Sequence, residues 1–185
     1  MKKSAFAIAF ALAGLTSTGA MAQAYVSGGI GISNANFDCS GTTSCDNNDT
    51  AAKFVGGYGF GNGFAAELGF ISFGKATASD ATISAEVKSS AITLGVAYQL
   101  AFSKDWGANF RLGVASMETK VSGTVIGLGS ASDSETNTTP YVGVDFNYAV
   151  SKAVKLGAGL DFSRAEFQGN KANVRALTFN VRYDF

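Results

Sequence analysis

Eight charged residues recur at alternate positions within apolar runs: Lys53, Glu67, Arg111, Asp145, Lys155, Asp161, Arg182 and Asp184, four of each sign. Carboxylates beside ammonium or guanidinium groups can exchange protons with a substrate, line an ion path, or pair with one another and close a space. General acid–base work of the common kinds is excluded first, because the chain has no histidine. Ser-His-Asp and Cys-His activation and His-ligated zinc all need an imidazole. No enzyme activity and no cofactor are expected. Gly61-Asn62-Gly63-Phe64-Ala65-Ala66 satisfies G-x-G-x-x-A, but strand-like sequence follows where a dinucleotide site needs a helix, so it reads as a hairpin turn. Asp46-Asn47-Asn48-Asp49 offers oxygen ligands yet lacks the glycine and terminal glutamate of a calcium loop. What remains for the eight charges is a plug of mutual pairs or a gate whose pairs switch.

The elements that must hold them are strands. Apolar residues alternate with small or polar ones eight times, as in Ile92, Leu94, Val96, Tyr98 against Thr93, Gly95, Ala97, Gln99. A period of two means two unlike faces. The other runs start near Val26, Ala52, Phe64, Ala108, Pro140, Val154 and Leu177, each long enough to cross a bilayer at a tilt. Connections alternate too. Gly61–Gly63, Ala101–Asp105 and Ser151–Ala153 are short, whereas Asn34–Asp49, Gly74–Ser84, Met117–Asn137 and Ala165–Asn173 are longer, polar and rich in Ser, Thr and Asn. The pattern predicts an all-β, eight-stranded antiparallel up-and-down transmembrane β-barrel over residues 23–185, closed so that no strand edge is exposed.

Charge placement orients the faces. Every strand charge lies on the small, polar face, so that face is expected to line the lumen and the apolar face to meet lipid. The reversed arrangement would be a soluble periplasmic ligand-binding barrel. Tyr58, Phe60, Phe64, Tyr98, Trp106, Tyr148, Tyr183 and Phe185 cluster near the short turns, and Phe70, Phe73 and Phe162 near the long connections, predicting two interfacial aromatic girdles.

Residues 1–22 predict an export signal, with Lys2 and Lys3 before an apolar stretch and Ala20-Met21-Ala22 before a cut between Ala22 and Gln23. Without the two leader lysines, the balance of 14 basic and 14 acidic residues becomes slightly acidic. Neither that balance nor any basic block suits nucleic acid. An exported chain meets an oxidising compartment, so Cys39 and Cys45 are expected to form a disulfide that holds a loop. At the long-connection end, Lys75, Lys88, Arg164 and Arg175 could meet lipopolysaccharide phosphates, although acids outnumber bases there.

These residues resemble the small outer-membrane β-barrels of Gram-negative bacteria, meaning the transmembrane domain of OmpA, the OmpX and Ail proteins and opacity-type surface proteins. The resemblance rests on Ala24-Tyr25-Val26-Ser27-Gly28-Gly29-Ile30-Gly31 after a signal peptide, and on Ala66-Glu67-Leu68-Gly69-Phe70 with Phe110-Arg111-Leu112-Gly113-Val114, similar to the family's luminal Glu and Arg. It rests also on the terminal run from Phe179 to Phe185, similar to the signal read by the barrel-assembly machinery, with Phe179, Val181, Tyr183 and Phe185 as its apolar face. It implies a Gram-negative outer-membrane location reached by export through the inner membrane. The implied partners are outer-membrane lipid, lipopolysaccharide, the assembly machinery and host or surface ligands at the loops. The peptidoglycan-binding domain of OmpA proper has no counterpart up to Phe185, so cell-wall tethering is not carried over. The expected function is structural and surface-interacting, with a small gated pore for ions or solutes as the alternative.

Overall fold

A computed structural model of the protein describes residues 24–36, 44–79, 83–125 and 129–185. The signal segment, its cleavage point at Ala22 and Gln23, and Cys39 lie outside the described residues. Within them the strands are β1 (Ala24–Ala35), β2 (Ser44–Asp46), β3 (Asn48–Gly59), β4 (Phe64–Ser79), β5 (Ile83–Ala101), β6 (Trp106–Val125), β7 (Gly129–Ala149), β8 (Val154–Phe167) and β9 (Asn170–Asp184). All pairings are antiparallel, and consecutive long strands are neighbours. β1 also pairs with β9, from Tyr25 opposite Asp184 to Ala35 opposite Val174, which closes an eight-stranded barrel. The short β2 adds to the upper part of β4, above the end of the β3 ladder.

The faces fall as the charge argument requires. Leu112 is 68% exposed while the adjacent Arg111 is 5% exposed. Ile30, Phe54, Leu68, Leu94, Phe146 and Phe179 likewise point out, and Lys53, Glu67, Asp145 and Asp161 point in. An uninterrupted apolar outer wall of this extent has no stable contact with water and belongs in lipid. On β6 the outward series runs Phe110, Leu112, Val114 and then turns polar at Ser116, Glu118 and Lys120. At the short-turn end four aromatic contacts ring the barrel: Tyr58 with Phe60, Phe64 with Tyr98, Trp106 with Tyr148, and Tyr183 with Phe185, their ring centroids 4.9–6.0 Å apart. Leu112→Arg, near mid-height, is expected to lower the unfolding free energy in phosphatidylcholine vesicles by about 2–4 kcal/mol, against about 0–1 kcal/mol for Ser116→Arg at the interface. Equal urea midpoints for the two variants would contradict the placement of the lipid belt.

Two expectations change. Phe73, assigned to the upper girdle, is 3% exposed and faces the lumen, because it keeps the inward phase of Glu67, Gly69 and Ile71. The ladder slips between Ser72 and Lys75, around Phe73, and Lys75 turns outward. Phe70 and Phe162 remain outside at that level. Second, three of the supposed long loops are mostly strand. β4 and β5 pair up to Ser79 opposite Ser84, and β6 and β7 up to Val125 opposite Gly129. β8 and β9 meet in a two-residue turn, Gln168-Gly169, with positive φ of 48° and 80° as a tight hairpin turn requires. Ser- and Thr-rich sequence reads as loop by composition, yet each segment has a neighbouring strand to satisfy its backbone.

One seam departs from the regular ladder. β7 and β8 pair from Ala149 opposite Lys155 only as far as Val142 opposite Phe162, and the next outward residue of β7 is Pro140, the chain's single proline. Proline has no N–H to donate, so the ladder cannot continue through it. Side chains take over: Ser163 Oγ donates to the Pro140 carbonyl at 3.0 Å and lies 3.0 Å from Thr139 Oγ1, and Asn137 donates to the Glu166 carbonyl at 3.3 Å.

Candidate functional site in the barrel lumen

The eight strand charges lie inside the barrel in two groups. The central group crosses the bore as a chain of contacts. Tyr25 donates its hydroxyl to Glu67 at 2.5 Å, and Arg111 Nε donates to the other Glu67 oxygen at 2.5 Å. Arg111 also pairs with Asp145, whose second oxygen takes Lys53 Nζ at 3.0 Å. Lys53 reaches on to Asp161 at 2.7 Å, and Asp161 accepts the Tyr141 hydroxyl at 2.6 Å. Asn180 adds a bond to Asp145 at 3.3 Å. β1, β3, β4, β6, β7, β8 and β9 all contribute, so the chain of contacts ties opposite walls together.

Close packing around these groups depends on small neighbours. Gly159 lies opposite Asp145 across the β7–β8 pair, and a Cβ there would collide with the Asp145 carboxylate. A glycine at that point leaves room for two cations to reach one acid.

The basal group sits toward the short turns. Arg182 pairs with Asp184 at 2.6 Å, Lys155 with the same carboxylate at 3.0 Å, and Arg182 donates to Gln99 at 3.3 Å. The Arg182 guanidinium stacks 3.6 Å from the centre of the Tyr25 ring, so Tyr25 joins the two groups by a hydroxyl on one side and a cation–π contact on the other. Below lies a cavity of ≈ 280 Å³ lined by Gln99, Asn109, Asn147, Lys155, Arg182 and the turn at Ser103–Gly107. The central group holds three acids to two bases and the basal group two bases to one acid, so the two attract each other.

Above the charges the lumen is mainly apolar, with hydroxyls of Ser33, Ser89, Thr119, Thr139 and Ser163 set among its side chains. Ile71, Phe73, Ala91, Ala115, Met117, Tyr141, Ala165 and Val174 pack together inside the upper half. A lumen lined by small and polar residues was the expectation. The interior of so narrow a barrel is instead filled by two layers of different chemistry, each large enough to meet across the bore. Tyr25 and Tyr141, which complete the charge chain, were not singled out as site residues, although both share the inward phase of the strand charges.

Outside, the upper rim carries cations in register. Lys75 lies opposite Lys88, and Lys88 opposite Lys120, in a row across β4, β5 and β6. Adjacent like charges repel, and Glu86 relieves part of this by pairing with Lys75 at 3.1 Å and Lys88 at 3.3 Å. Hydrogen bonds from Lys75 and then Lys88 hold the Glu86 carboxyl below its ordinary range. Arg164 and Arg175 point outward at the same end of β8 and β9, with Arg175 donating to Asn34 at 3.2 Å. Cys45 lies on β2, and its expected partner Cys39 is outside the described residues. Phe179, Val181 and Tyr183 form the outer face of β9, next to the closing β1, and Phe185 follows them at its end, also exposed.

Comparisons with known proteins agree with this geometry. A sequence profile of the outer membrane protein beta-barrel domain matches residues 7–185. No curated protein matches in sequence. Among solved structures, Neisserial surface protein A is similar with a TM-score of 0.61 and 15% identity, over 88% of this chain and 97% of that one. Ail, the attachment invasion locus protein of Yersinia pestis, is similar with a TM-score of 0.55 and 16% identity, over 88% and 99%. OprG from Pseudomonas aeruginosa is similar with a TM-score of 0.55 and 14% identity, over 89% and 96%.

Proposed function

Because the chain belongs to the outer membrane protein beta-barrel family and resides in the Gram-negative outer membrane, we propose that it is a non-enzymatic surface protein whose filled barrel anchors projecting β-hairpins. The observation that carries this reading is the contrast between lumen and rim. Paired charges and an apolar layer meet across the bore, while β5, β6 and β7 continue as strands well above the last outward apolar residues, Ile92, Val114 and Val142. A protein built for passage needs the bore; one built for contact needs the hairpins.

Several further assignments belong to the same proposal. The row Lys75, Lys88, Lys120 with Arg164 and Arg175 stands just above the lipid belt, where lipopolysaccharide phosphates lie, and supports contact with that lipid. The outward aromatic and apolar face of β9 supports delivery by the barrel-assembly machinery. The leader at 1–22 accounts for export, and a Cys39–Cys45 bridge would hold the first surface connection. Ail has been crystallised with the heparin analogue sucrose octasulfate. The acidic excess at this chain's outer end does not favour so strongly anionic a partner, and host or surface ligands of the hairpins are taken here to be neutral or basic.

The test is to excise residues 119–135, joining Glu118 to Thr136, register partners on β6 and β7, through Asn-Gly. Cells displaying the trimmed barrel are expected to lose adherence to matrix-coated surfaces while the protein keeps its heat-dependent shift on detergent gels. Undiminished adherence with the barrel intact would sink the proposal.

A further inference from the structure

We propose that the outer mouth of the barrel is a binding pocket for a small, neutral, mainly apolar molecule bearing one hydrogen-bonding group, with Thr119 as its polar anchor. The pocket follows from the irregular seam. Once Pro140 ends the β7–β8 ladder, only side-chain bridges join the upper β8 to β7, and upper residues of β6 and β8 face one space across the bore. Between them a cavity of ≈ 360 Å³ is left, its apolar wall made by Val87, Val121, Ala165, Phe167 and Ala172, with Thr119 inside and Glu166, Asn170 and Lys171 completing the lining. That is the lower part of the range for small-molecule sites, and an apolar lining with few polar groups is their usual make-up.

Two buried hydroxyls mark where a ligand's polar end would lie. Thr119 lines the cavity, is 1% exposed, and its Oγ1 has no hydrogen-bond partner among the described residues. Ser89, its register partner on β5, is 5% exposed, and its Oγ is equally without one. Native interiors pair nearly all such groups, so an orphan in the cavity wall with a second on the strand next to it points to a partner that arrives from outside.

The charges around the mouth set the ligand's charge. Glu135, register partner of Thr119 on β7, already accepts from Asn137 at 2.9 Å and from the Gln168 backbone at 2.7 Å. Glu166 is paired with Lys171 at 3.6 Å. An anion would meet two acids and one engaged base, and a cation would find both acids engaged. Below, the apolar layer around Met117 and Phe73 closes the pocket toward the charged lumen. Entry is therefore from the outer side, and the site binds without conducting.

The experiment is methyl NMR on the whole barrel in lipid nanodiscs, titrated separately with 2-naphthol, naphthalene and 2-naphthoate. Outward methyls of Leu112, Val114 and Val181 serve as reporters of simple partition into lipid. The expected result is a saturable shift confined to Thr119, Val87, Ala165 and Ala172, with 2-naphthol bound more tightly than naphthalene and 2-naphthoate bound least. Thr119→Val, nearly the same shape, is expected to weaken 2-naphthol by about three- to tenfold, the worth of one hydrogen bond, and to leave naphthalene unchanged. Ala172→Leu, filling the cavity, is expected to abolish binding of both, with the heat-dependent gel shift reporting that the barrel still forms. Shifts that rise without plateau, that spread equally to the outward methyls, or that are unaltered in Thr119→Val would overturn the proposal.

Discussion

Asp145→Asn is expected to lower the unfolding free energy of the barrel by about 3–5 kcal/mol, the usual cost of removing one member of a buried ion pair. Asp145 is 2% exposed and receives Lys53, Arg111 and Asn180 together. An amide of the same volume carries no charge, so two cations in a low-dielectric interior lose the acid they share. Lys53 keeps Asp161 and Arg111 keeps Glu67, which is why the loss stays within that range and the fold is not abolished. Lys155→Met is the control: its ammonium stands at the periplasmic mouth, about one-third exposed, and its removal is expected to cost no more than about 1 kcal/mol. Urea unfolding in lipid vesicles reads both. Similar midpoints for Asp145→Asn and Lys155→Met would mean that water reaches the central group and that the lumen is not a plug.

The second large effect is functional. The wild-type barrel is expected to give no current steps in planar bilayers, and Glu67→Lys is expected to produce them. Glu67 is the anion that holds Arg111 at 2.5 Å on one side and the Tyr25 hydroxyl at 2.5 Å on the other, while Arg182 stacks on the same tyrosine. A cation in its place repels both guanidinium groups and removes the acceptor of Tyr25. The groups that fill the bore then separate, and water with counter-ions enters between them, with anions favoured by the added positive charge. The heat-dependent gel shift establishes that the variant has folded before it is recorded. Steps of equal size from wild type and variant would replace the plug with a resident pore and make the gated-channel reading of the eight charges the better one.

Much of this architecture was legible in the chain because strand alternation is local. Successive side chains point to opposite faces whatever the rest of the protein does. Lys53 against Phe54, Glu67 against Leu68 and Arg111 against Leu112 therefore declare a charged face and an apolar face without any tertiary information. The same rule would have placed Phe73 inside had the phase been carried two residues past Ile71. The long connections were misread for a different reason. The stretches 117–137 and 165–173 are polar on the outer face and mix apolar, small and polar residues on the inner one, as at Met117, Thr119, Val121, Ala165 and Ala172, and above the membrane nothing requires an apolar outer face, so composition alone resembles loop.

The periodicity by itself determined the number of long strands, their two faces, the inward set of charges and the membrane as their surroundings. Only the tertiary structure decided which charge meets which, and that the larger side chains of the upper lumen pack as an apolar layer. Lys53 and Asp161 are 108 residues apart, and Lys53 and Asp145 are 92 apart. Their meeting depends on the stagger with which every intervening strand is laid against the next, and a slip of one residue would reverse a whole face. The cavity between the upper β6 and β8 depends in the same way on a ladder that ends at Val142 and Phe162. No local pattern carries such information, because register is settled by the closure of the barrel as a whole.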